Sequence, residues 1–569
     1  MAETSVGTRS EWHVEKTEAT ASHGMVTADN PLAAEAGLEI LKAGGNAVDA
    51  AVAAAFAVGV AEPFTSGVGG VAAMVIRRAD GHTSVIDGSA TAPQSAREDM
   101  YEVLSGGERV GMYGWPATKD DANNVGYRAV GVPGTVACLC LALERHGRMD
   151  RGTVMRPAIA LAENGFEVDW YTALAIGAYA ERLWPFPDSR RIFYRPSGAP
   201  LRPTTGFDPA DRLVQSDLAE TLRTIAAKGA DGFYRGPIAA AIDADMRANG
   251  GLITAEEISD YRARELPALE ASYRGDRILT TPGATGAITV VEILNVLEGF
   301  DLRGMPSDTA RLHLIAEAQR RAFADRFARL ADPAFVGGEP FEALASKEFA
   351  AERRRSIDPR RADPAAGPAE MARGAVARAA APGDHTTHVC AVDGDRTLVS
   401  LTSTLGQGFG SGVVAKGTGI VLADVMTWFD PRPGGVNSIA PGKRILWAAA
   451  PMVVVRNGEP VLVLGAPGGR KIMSAVAQCV VRMVDRDDGP QAAVNRPRVH
   501  CEGETTQVDA RVGQATLDEL DAIGHILDVR EETFFSSHFA RPSAIAIDRE
   551  SGLLRAGVPQ TKPTLAAGY

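Results

Sequence analysis

Three things are scarce or missing in this chain of 569 residues: cysteine, an excess of positive charge and long apolar runs. The five cysteines are odd in number and show no Cys-x-x-Cys spacing, which is typical of a reduced, cytoplasmic protein. The net charge of −12 argues against nucleic acid and anionic membranes as partners. The longest apolar stretch, Ala50 to Ala61, is too short to cross a bilayer and predicts a buried helix. The polar, mixed-charge beginning of the chain gives no indication of a secretory signal.

What the chain does contain is a helical pattern first and a strand pattern later. Asn30-Pro31 suits the cap and first turn of a helix that Gly44-Gly45 ends. Asp80-Gly81 and Asn457-Gly458 each stand between two β-forming runs, which predicts two hairpins. Residues 130–332 have mostly helical periodicity. The pattern is that of an α+β protein with a helical first part and a β-rich last part.

A segment of low complexity separates these two parts. Residues 357–385 contain four prolines and no aromatic residue, which predicts a flexible linker. The predicted organisation is therefore an extension (1–23), a large segment that ends in the linker (24–385) and a small segment (386–569). Whether the two segments form one body or two domains is left open by the pattern.

Immediately behind the linker, a strand begins at His385, Thr386 and Thr387. If the bond between His385 and Thr386 is cut, Thr386 gains an α-amine with a pKa of about 7.7–8 beside its own hydroxyl. The amine can accept the hydroxyl proton, so one residue supplies both nucleophile and base. A strained peptide would allow Thr386 Oγ to make the cut itself, by attack on the preceding carbonyl. The alternative is two β-branched strand residues without chemistry.

A glycine loop, GAPGGRK (465–471), follows a later apolar strand. Backbone N–H groups of adjacent glycines can stabilise a developing oxyanion, so the loop is a candidate for that role. A phosphate-binding loop would need Gly-Lys-Ser/Thr at its end, and the residues here are Arg470-Lys471-Ile472, which excludes it. A purely structural turn remains the alternative.

Motifs along nearly the whole chain carry a resemblance to a known family. They are GLEILKAGGNAVDAAVAAAFAVGVAEP, VGVPGT (130–135), GFYRG (232–236), EILNVLEGFDL, HLIAEAQRRAFADR, TTH, APGKR (440–444) and APGGRKI. In this combination and order, from Gly24 to the C-terminus, they resemble the gamma-glutamyltransferase family of N-terminal nucleophile (Ntn) hydrolases.

The resemblance implies a fold, a cut and a set of catalytic residues. The fold is a four-layer αββα sandwich built jointly by both halves of a precursor, hence one body. The precursor cuts itself between His385 and Thr386, leaving fragments 1–385 and 386–569, the second of 569 − 385 = 184 residues. Thr386 is nucleophile and new N-terminus, Thr404 supports it, and Gly468 and Gly469 form the oxyanion pair. The implied partners are the two fragments, as a heterodimer or a dimer of heterodimers, and a small-molecule amide; no cofactor is implied.

The donor-binding residues of the family are replaced in this chain. Ser89 stands where the family has the arginine that holds the donor's α-carboxylate, and Trp428 replaces the carboxylate that holds its α-amine. Trp447 and Ala448 stand where paired serines are usual, and Gly406 replaces an asparagine. Each replacement removes a polar partner, and such losses change preference by orders of magnitude. We therefore expect a donor other than a gamma-glutamyl group, with the two tryptophans as pocket walls or, alternatively, as core.

Arg470 follows the oxyanion glycines, where the family more often has serine. Its guanidinium is a candidate to pair with a carboxylate on the acyl group, such as an oxalyl or oxamate-like group. The alternative is a structural arginine paired with Asp or Glu. No metal is expected, because strand spacing sends His385 and His388 to opposite faces.

The hypothesis that follows is a self-processing Ntn amidohydrolase that forms an acyl-enzyme at Thr386 with a small non-glutamyl acyl group. Alternatives are a true gamma-glutamyl transferase or glutathione hydrolase, a cephalosporin-acylase-like amidase, a hydrolase of carbon–carbon bonds, and a non-catalytic binding protein with the same fold.

Overall fold

The structure is a computed structural model that describes residues 14–104, 109–110, 114–337, 341–368, 385–534, 536 and 538–569. These residues form four layers, in the order helices, sheet, sheet, helices. The αββα sandwich implied by the resemblance is confirmed.

The helices of the described residues cluster in the large segment. They are α1 (Pro31–Lys42), α2 (Ala47–Ala61), α3 (Thr135–His146), α4 (Arg151–Asn164), α5 (Trp170–Ala178), α6 (Ala180–Leu183), α7 (Pro187–Phe193), α8 (Ser216–Lys228), α9 (Ala230–Tyr234), α10 (Pro237–Ala248), α11 (Ala255–Asp260), α12 (Ala287–Glu298), α13 (Asp308–Arg329), α14 (Lys347–Arg355), α15 (Lys471–Asp485), α16 (Pro490–Asn495) and α17 (Gln514–Ala522).

The strands are contributed by both segments. They are β1 (Ala19–Ala21), β2 (Met25–Ala28), β3 (Val71–Arg77), β4 (Thr83–Gly88), β5 (Arg109–Val110), β6 (Trp115–Pro116), β7 (Phe166–Glu167), β8 (Arg212–Leu213), β9 (Arg264–Leu266), β10 (Leu269–Tyr273), β11 (Asp276–Thr280), β12 (His385–Val392), β13 (Leu398–Gly406), β14 (Val414–Ala415), β15 (Ile420–Val421), β16 (Met452–Arg456), β17 (Glu459–Gly465), β18 (Val499–Cys501), β19 (Thr505–Asp509), β20 (Ile526–Arg530), β21 (Ser543–Ile547), β22 (Leu554–Gly557) and β23 (Leu565–Gly568).

Two sheets of seven strands make the centre of the molecule, and each mixes strands of both segments. The first has the order β23-β2-β12-β13-β3-β4-β9, and the second β1-β22-β21-β17-β16-β11-β10. In the first sheet, β12 and β13 of the small segment pair with β2 and β3 of the large segment. The two segments therefore build one body, which excludes the two-domain alternative.

The core lies in three layers that follow from this arrangement. Apolar side chains between the sheets include Val75, Val392, Val453 and Ile545. Outside the first sheet, α2 is buried along nearly its whole length, because its many alanines allow close approach to the neighbouring helices and strands. Outside the second sheet, α12, α13 and α15 form the other helical layer.

Several local predictions are confirmed. The Asn30 side chain caps α1 by accepting from the N–H of Leu32, and Pro31 is its first residue. Asn457 and Gly458, with φ of 52° and 85°, form the tight turn between β16 and β17. The mostly helical interpretation of residues 130–332 missed β9 and β10, which are edge strands of the two sheets, and β11, which lies next to β10.

The predicted extension and linker are only partly within the described residues. Ala19–Ala21 of the extension pairs with β22, so this part belongs to the second sheet. At the start of the predicted linker, Ile357 and Ala362 are buried and Ala362 N–H donates to Ile523 O, so this start has fixed contacts with the body. Residues 369–384 lie outside the described part. Among described residues, we found no helix long and apolar enough to cross a membrane.

Candidate active site

Thr386 and Thr404 face each other across the central strand pair of the first sheet. Antiparallel pairing of β12 with β13 puts these two residues in register, next to an irregularity between His385 and Thr386. Thr386 Oγ1 donates to Thr404 Oγ1 at 3.2 Å, and both residues are 3% exposed. The predicted nucleophile and its predicted supporting residue are therefore in hydrogen-bond contact.

The Thr404 hydroxyl connects the nucleophile to the bond that is expected to break. It donates to the carbonyl oxygen of His385 at 2.8 Å and accepts from the N–H of Gly406 at 2.9 Å. With the contact from Thr386, this hydroxyl makes one donated and two accepted bonds, its full capacity. A continuous proton path thus runs from the Thr386 hydroxyl to the His385 carbonyl oxygen.

The imidazole of His385 is enclosed by aromatic side chains. Its Nε2 lies 2.5 Å from the Tyr179 hydroxyl oxygen, and its ring packs edge-to-face on Tyr179 and Phe64. Burial, with the nearby charges of Arg541, Lys562 and Arg182, lowers the pKa of His385 to about 3. The ring is therefore neutral at physiological pH.

The glycine loop after β17 has a backbone that only glycine adopts readily. Gly468 and Gly469 have φ of 135° and 52°. A Cβ on Gly468 would lie 2.5 Å from Ala540 Cα, so the loop passes too close to its neighbour for any side chain. Among described residues, neither glycine N–H donates a hydrogen bond. Both donors are thus available for an oxyanion.

Packing between the sheets brings this loop to the same end as Thr386. Gly465, the last residue of β17, lies against the ring of His388, because a Cβ there would be 2.1 Å from His388 Cε1. The hydroxyl of Ser400 on β13 donates to Leu464 O at 2.8 Å. Thr386 lies shortly before His388 on β12, and the glycine loop continues from Gly465 at the end of β17. The predicted nucleophile and oxyanion donors therefore share one edge of the sandwich.

Arg470 is held by an acidic side chain of the protein itself. Its Nε and Nη2 donate to the two carboxylate oxygens of Glu502 at 2.7 Å each, and the pair is buried. Arg470 holds the pKa of Glu502 well below its usual range. Glu502 also lies 3.5 Å from His500 Nε2, whose Nδ1 contacts Ser474 Oγ at 2.8 Å. The geometry favours the structural alternative for Arg470 over a contact with substrate.

Ser89, at the position of the family's carboxylate-binding arginine, is tied to its own loop. Its hydroxyl donates to Asp87 Oδ1 at 2.5 Å, and Arg264 Nε donates to the other oxygen of this carboxylate at 3.1 Å. The Ser89 carbonyl accepts from Tyr261 and Arg444. Position 89 therefore offers no guanidinium to the carboxylate of a donor.

The two tryptophans lie deep in the molecule. Trp428 is 1% and Trp447 2% exposed, and Ala448 next to it is buried as well. The indole N–H of Trp447 is buried without a hydrogen-bond acceptor among the described residues. Buried donors usually have a partner, so this N–H is a candidate contact for a ligand.

Gly406 and Asp424 share the space of the family's asparagine. A Cβ on Gly406 would lie 1.8 Å from Asp424 Oδ1 and 3.2 Å from Trp428 Cη2. Burial raises the pKa of Asp424 to about 8, although Arg182 Nη1 lies 3.7 Å from Oδ2. The polar network continues through Gln407, whose N–H donates to Asp424 Oδ1 at 3.1 Å.

Buried ionisable residues also lie next to β12, the strand that carries Thr386. Asp29 Oδ2 accepts from His388 N–H at 3.2 Å, and burial raises the pKa of Asp29 to about 6. Arg541 donates to the Tyr171 hydroxyl at 2.6 Å and to Pro467 O through its backbone N–H. Burial lowers the pKa of Lys562 to about 7. Arg541 thus links the glycine loop to the surroundings of His385.

The residues that could hold a metal ion lie elsewhere. Within the described part of the chain, His313, Glu317 and His525 bring ligand atoms within 4.8 Å of one another. His313 Nε2 donates to Asp358 O, His313 Nδ1 contacts His525 Nε2 at 2.9 Å, and Glu317 is paired with two arginines. These contacts already satisfy the group. His388 contacts Thr402 and Cys390, away from the His385 ring.

Comparison with known proteins identifies the family. The family model described as gamma-glutamyltranspeptidase matches residues 33–568. The chain therefore belongs to the gamma-glutamyltranspeptidase family, whose fold and chemistry are those of the Ntn hydrolases, and it is an enzyme of this class.

Particular relatives include both acylases and glutathione hydrolases. The chain is 40% identical over 513 residues to the acylase ACY 1 proenzyme of Pseudomonas sp. (strain V22), covering 90% of this chain and 88% of the relative. It is 35% identical over 564 residues to the glutathione hydrolase proenzyme of Escherichia coli (strain K12), covering 96% and 92%. Among solved structures, the cephalosporin acylase from Bacillus halodurans matches with a TM-score of 0.84 and 28% identity, covering 100% of this chain and 99% of the other.

Sequence reasoning missed several residues around the site. Tyr179 contacts His385, Phe409 packs behind Tyr179, and Arg541 joins the surroundings of His385 to the glycine loop. A signal for Phe409 exists in GQGFGSG, where one aromatic residue stands among glycines. Tyr179 and Arg541 have no comparable local signal, because only tertiary packing brings them to the site.

Proposed function

We propose that the chain is a self-processing hydrolase whose N-terminal Thr386 cleaves amides through an acyl-enzyme, with a small non-glutamyl acyl group as donor. The observation that carries the proposal is the Thr404 hydroxyl, which contacts both Thr386 Oγ1 and the carbonyl oxygen of His385. The Thr404 hydroxyl can take the proton of the attacking Thr386 hydroxyl. It can also stabilise the negative charge that develops on the His385 carbonyl oxygen.

In the self-cleavage step, Thr386 Oγ attacks the carbonyl carbon of His385. Its proton passes to Thr404 Oγ1, while the Thr404 proton moves to the carbonyl oxygen, so the tetrahedral intermediate forms without a free alkoxide. The C–N bond then breaks as the hydroxyl of the intermediate gives its proton to the nitrogen, so the carbonyl re-forms and His385 is held as an ester on Thr386 Oγ. Water cleaves the ester and leaves a carboxylate on His385 and a free amine on Thr386.

In turnover, the same oxygen attacks the substrate amide. The α-amine of Thr386 takes the hydroxyl proton and later gives it to the leaving amine. The N–H groups of Gly468 and Gly469 are suited to stabilise the oxyanion, a contribution of about 3–4 kcal/mol per donor in comparable sites. Water then releases the acyl group and restores Thr386.

The donor is proposed to be non-glutamyl because its polar partners are replaced or occupied. The hydroxyl of Ser89 is bound to Asp87, and Trp428 is an apolar wall against Gly406. The N–H of Trp447, which has no acceptor among the described residues, offers one hydrogen bond to an acyl group. The acylase ACY 1 proenzyme among the relatives supports a donor outside the gamma-glutamyl class.

The substrate-binding role of Arg470 and an oxalyl-like donor are not part of this proposal, because Glu502 already occupies the guanidinium. A heterodimer of the two fragments is proposed, since both sheets need strands of both. A cytoplasmic location remains a prediction; the five unpaired, buried cysteines are consistent with it.

The test uses processed protein and three chromogenic anilides: gamma-glutamyl, butyryl and phenylacetyl. We expect an acyl group on the small fragment, and turnover of the gamma-glutamyl anilide about 10²-fold or more below the better of the other two, because several polar partners are lost. Thr386→Ala is the blank for all three. Preferred turnover of the gamma-glutamyl anilide would instead establish a gamma-glutamyl transferase, and fragments without any acylation would favour a binding protein.

A further inference from the structure

The His385 side chain fills a ring-lined space beside the predicted nucleophile. Three aromatic residues, Phe64, Tyr179 and Phe409, form this space, which we call the ring cage. Phe409 contacts both others, with ring centroids 5.9 Å from Phe64 and 6.2 Å from Tyr179. His385 packs edge-to-face on Phe64 and Tyr179, at 6.1 and 5.0 Å.

The walls of the ring cage do not depend on His385. Phe64 is fixed just beyond α2, where its carbonyl accepts from the N–H of Phe409 at 3.2 Å. The ring of Tyr179 lies against Gly408 so closely that a Cβ there would be 2.3 Å from it. These contacts join the large segment to the loop after β13, and neither breaks when the chain is cut before Thr386.

The backbone of Phe409 supports a special role for this loop. Its φ of 60° is in the left-handed region, which bulky residues seldom adopt because it is strained for them. The flanking glycines could adopt this conformation without strain. The strain places an aromatic ring, which glycine cannot supply, against Phe64 and Tyr179.

Chemistry connects the ring cage to the substrate. In the ester intermediate of self-cleavage, His385 is the acyl group on Thr386 Oγ, and every later acyl-enzyme forms on the same oxygen. We propose that the ring cage, once His385 has left it, is the acyl pocket of the mature enzyme, and that it takes acyl groups with a flat, uncharged or anionic ring. This inference rests on the proposed function, because only cleavage before Thr386 opens the pocket.

The polar groups around the ring cage indicate which kinds of ring on an acyl group would bind there. The Tyr179 hydroxyl that contacts His385 Nε2 can bond one polar atom at a ring edge. The charges that act on the ring position are those of Arg541, Lys562 and Arg182. Each of these cations has acidic neighbours of its own: Asp29 and Glu62 near Arg541, Glu532 near Lys562 and Asp424 near Arg182. A cationic ring is therefore disfavoured, and an imidazole, phenyl or hydroxyphenyl ring fits.

The experiment measures binding of imidazol-4-ylacetate, phenylacetate and butyrate to fully processed protein by titration calorimetry. We expect the two ring acids to bind at least about tenfold more tightly than butyrate, because edge-to-face ring contacts each contribute several-fold. Phe64→Leu keeps an apolar side chain and should reduce this preference about two- to tenfold.

Tyr179→Phe removes only the hydroxyl and should weaken imidazol-4-ylacetate about three- to tenfold while leaving phenylacetate unchanged. Tyr194→Phe is the matched control, because Tyr194 contacts Trp184 rather than His385. Equal binding of all three acids, or equal loss in the two tyrosine variants, would overturn the ring cage as acyl pocket while leaving self-cleavage intact. Protein that never forms fragments overturns the proposed function and this inference together.

Discussion

The scission site and the donor wall meet where Gly406, just after Thr404, lies against Trp428, but the two regions are built differently. At the scission site, Thr386, Thr404 and the backbone of His385 are joined by short, directed hydrogen bonds. At the donor wall, Trp428, Trp447 and Ala448 are packed as core residues are. Bond cleavage needs donors at fixed positions, whereas a wall needs only shape. This difference supports the proposed function, in which the reaction is that of the family and the donor is not a gamma-glutamyl group.

The largest expected effect concerns the scission site. Thr386→Ala removes the attacking oxygen, so the protein should remain a single chain of full mass without activity. Thr386→Ser keeps an oxygen at nearly the same position and should still be cut. Mass spectrometry of both purified proteins checks this. Two fragments from the alanine variant would show that another residue makes the cut.

Thr404→Val tests the relay with a side chain of the same shape. Loss of the hydroxyl removes the proton path and the donor to His385 O, so self-cleavage should slow about 10²–10³-fold, as when an oxyanion donor is lost. Thr404→Ser should retain most of the rate. The measurement is fragment appearance over time by denaturing electrophoresis, and an unchanged rate in the valine variant would remove Thr404 from the mechanism.

Glu502→Gln tests the buried ion pair with Arg470, the residue that directly follows the oxyanion glycines. Arg470 would keep its charge without a full partner, and breaking a buried ion pair typically costs about 3–5 kcal/mol. Denaturant unfolding should show this loss, and turnover should fall for every donor alike. Asp99→Asn, which breaks the exposed pair with Arg97, is the control and should cost less than about 1 kcal/mol. A selective loss for acidic donors would restore a substrate role for Arg470.

The smallest expected effect is a pH dependence that distinguishes precursor from mature protein. The pKa of caged His385 is about 3, below its unfolded value of about 6.5, so the unfolded state binds more protons between these values. The stability of the precursor therefore rises with pH through this window, by up to about 1.4 kcal/mol per unit from this group.

If His385 leaves the ring cage after cleavage, as proposed, this contribution is absent from the mature protein. Between pH 4 and 6.5, the Thr386→Ala precursor should lose stability on acidification more steeply than the processed wild type. Burial also lowers the pKa of His388 to about 3. Because we expect His388 to stay buried in both proteins, it contributes equally to the two slopes. Equal slopes in denaturant unfolding would mean that His385 keeps its surroundings after cleavage.

The sequence allowed prediction of features that depend on local chemistry. The Asn30 cap and the Asn457-Gly458 turn follow from side-chain and backbone preferences of a few residues. Thr386 was a candidate from its place behind the linker, but Thr404 came from the resemblance, because 18 residues of separation do not determine that a strand pair places the two in register. The strands β9 to β11 were missed, since each has only three to five residues and β9 and β11 pair with strands that are distant in sequence.

Contacts across the fold could not be predicted from the sequence. Arg470 follows the glycine loop and was a reasonable candidate for substrate, but its partner Glu502 comes from β18's end, 32 residues later. The burial of Trp428 suits both a pocket wall and core, so burial alone leaves these alternatives open. The ring cage depends on Tyr179, which contacts His385, and on Phe409, which contacts Tyr179, and only tertiary packing brings these rings together.

The most direct test is the intact mass and N-terminal sequence of purified, active wild-type protein. We predict two chains, residues 1–385 and 386–569, with the smaller one beginning at Thr386 and carrying a free amine. An active enzyme that consists of one uncut chain, with Thr386 still in peptide linkage to His385, would contradict the account.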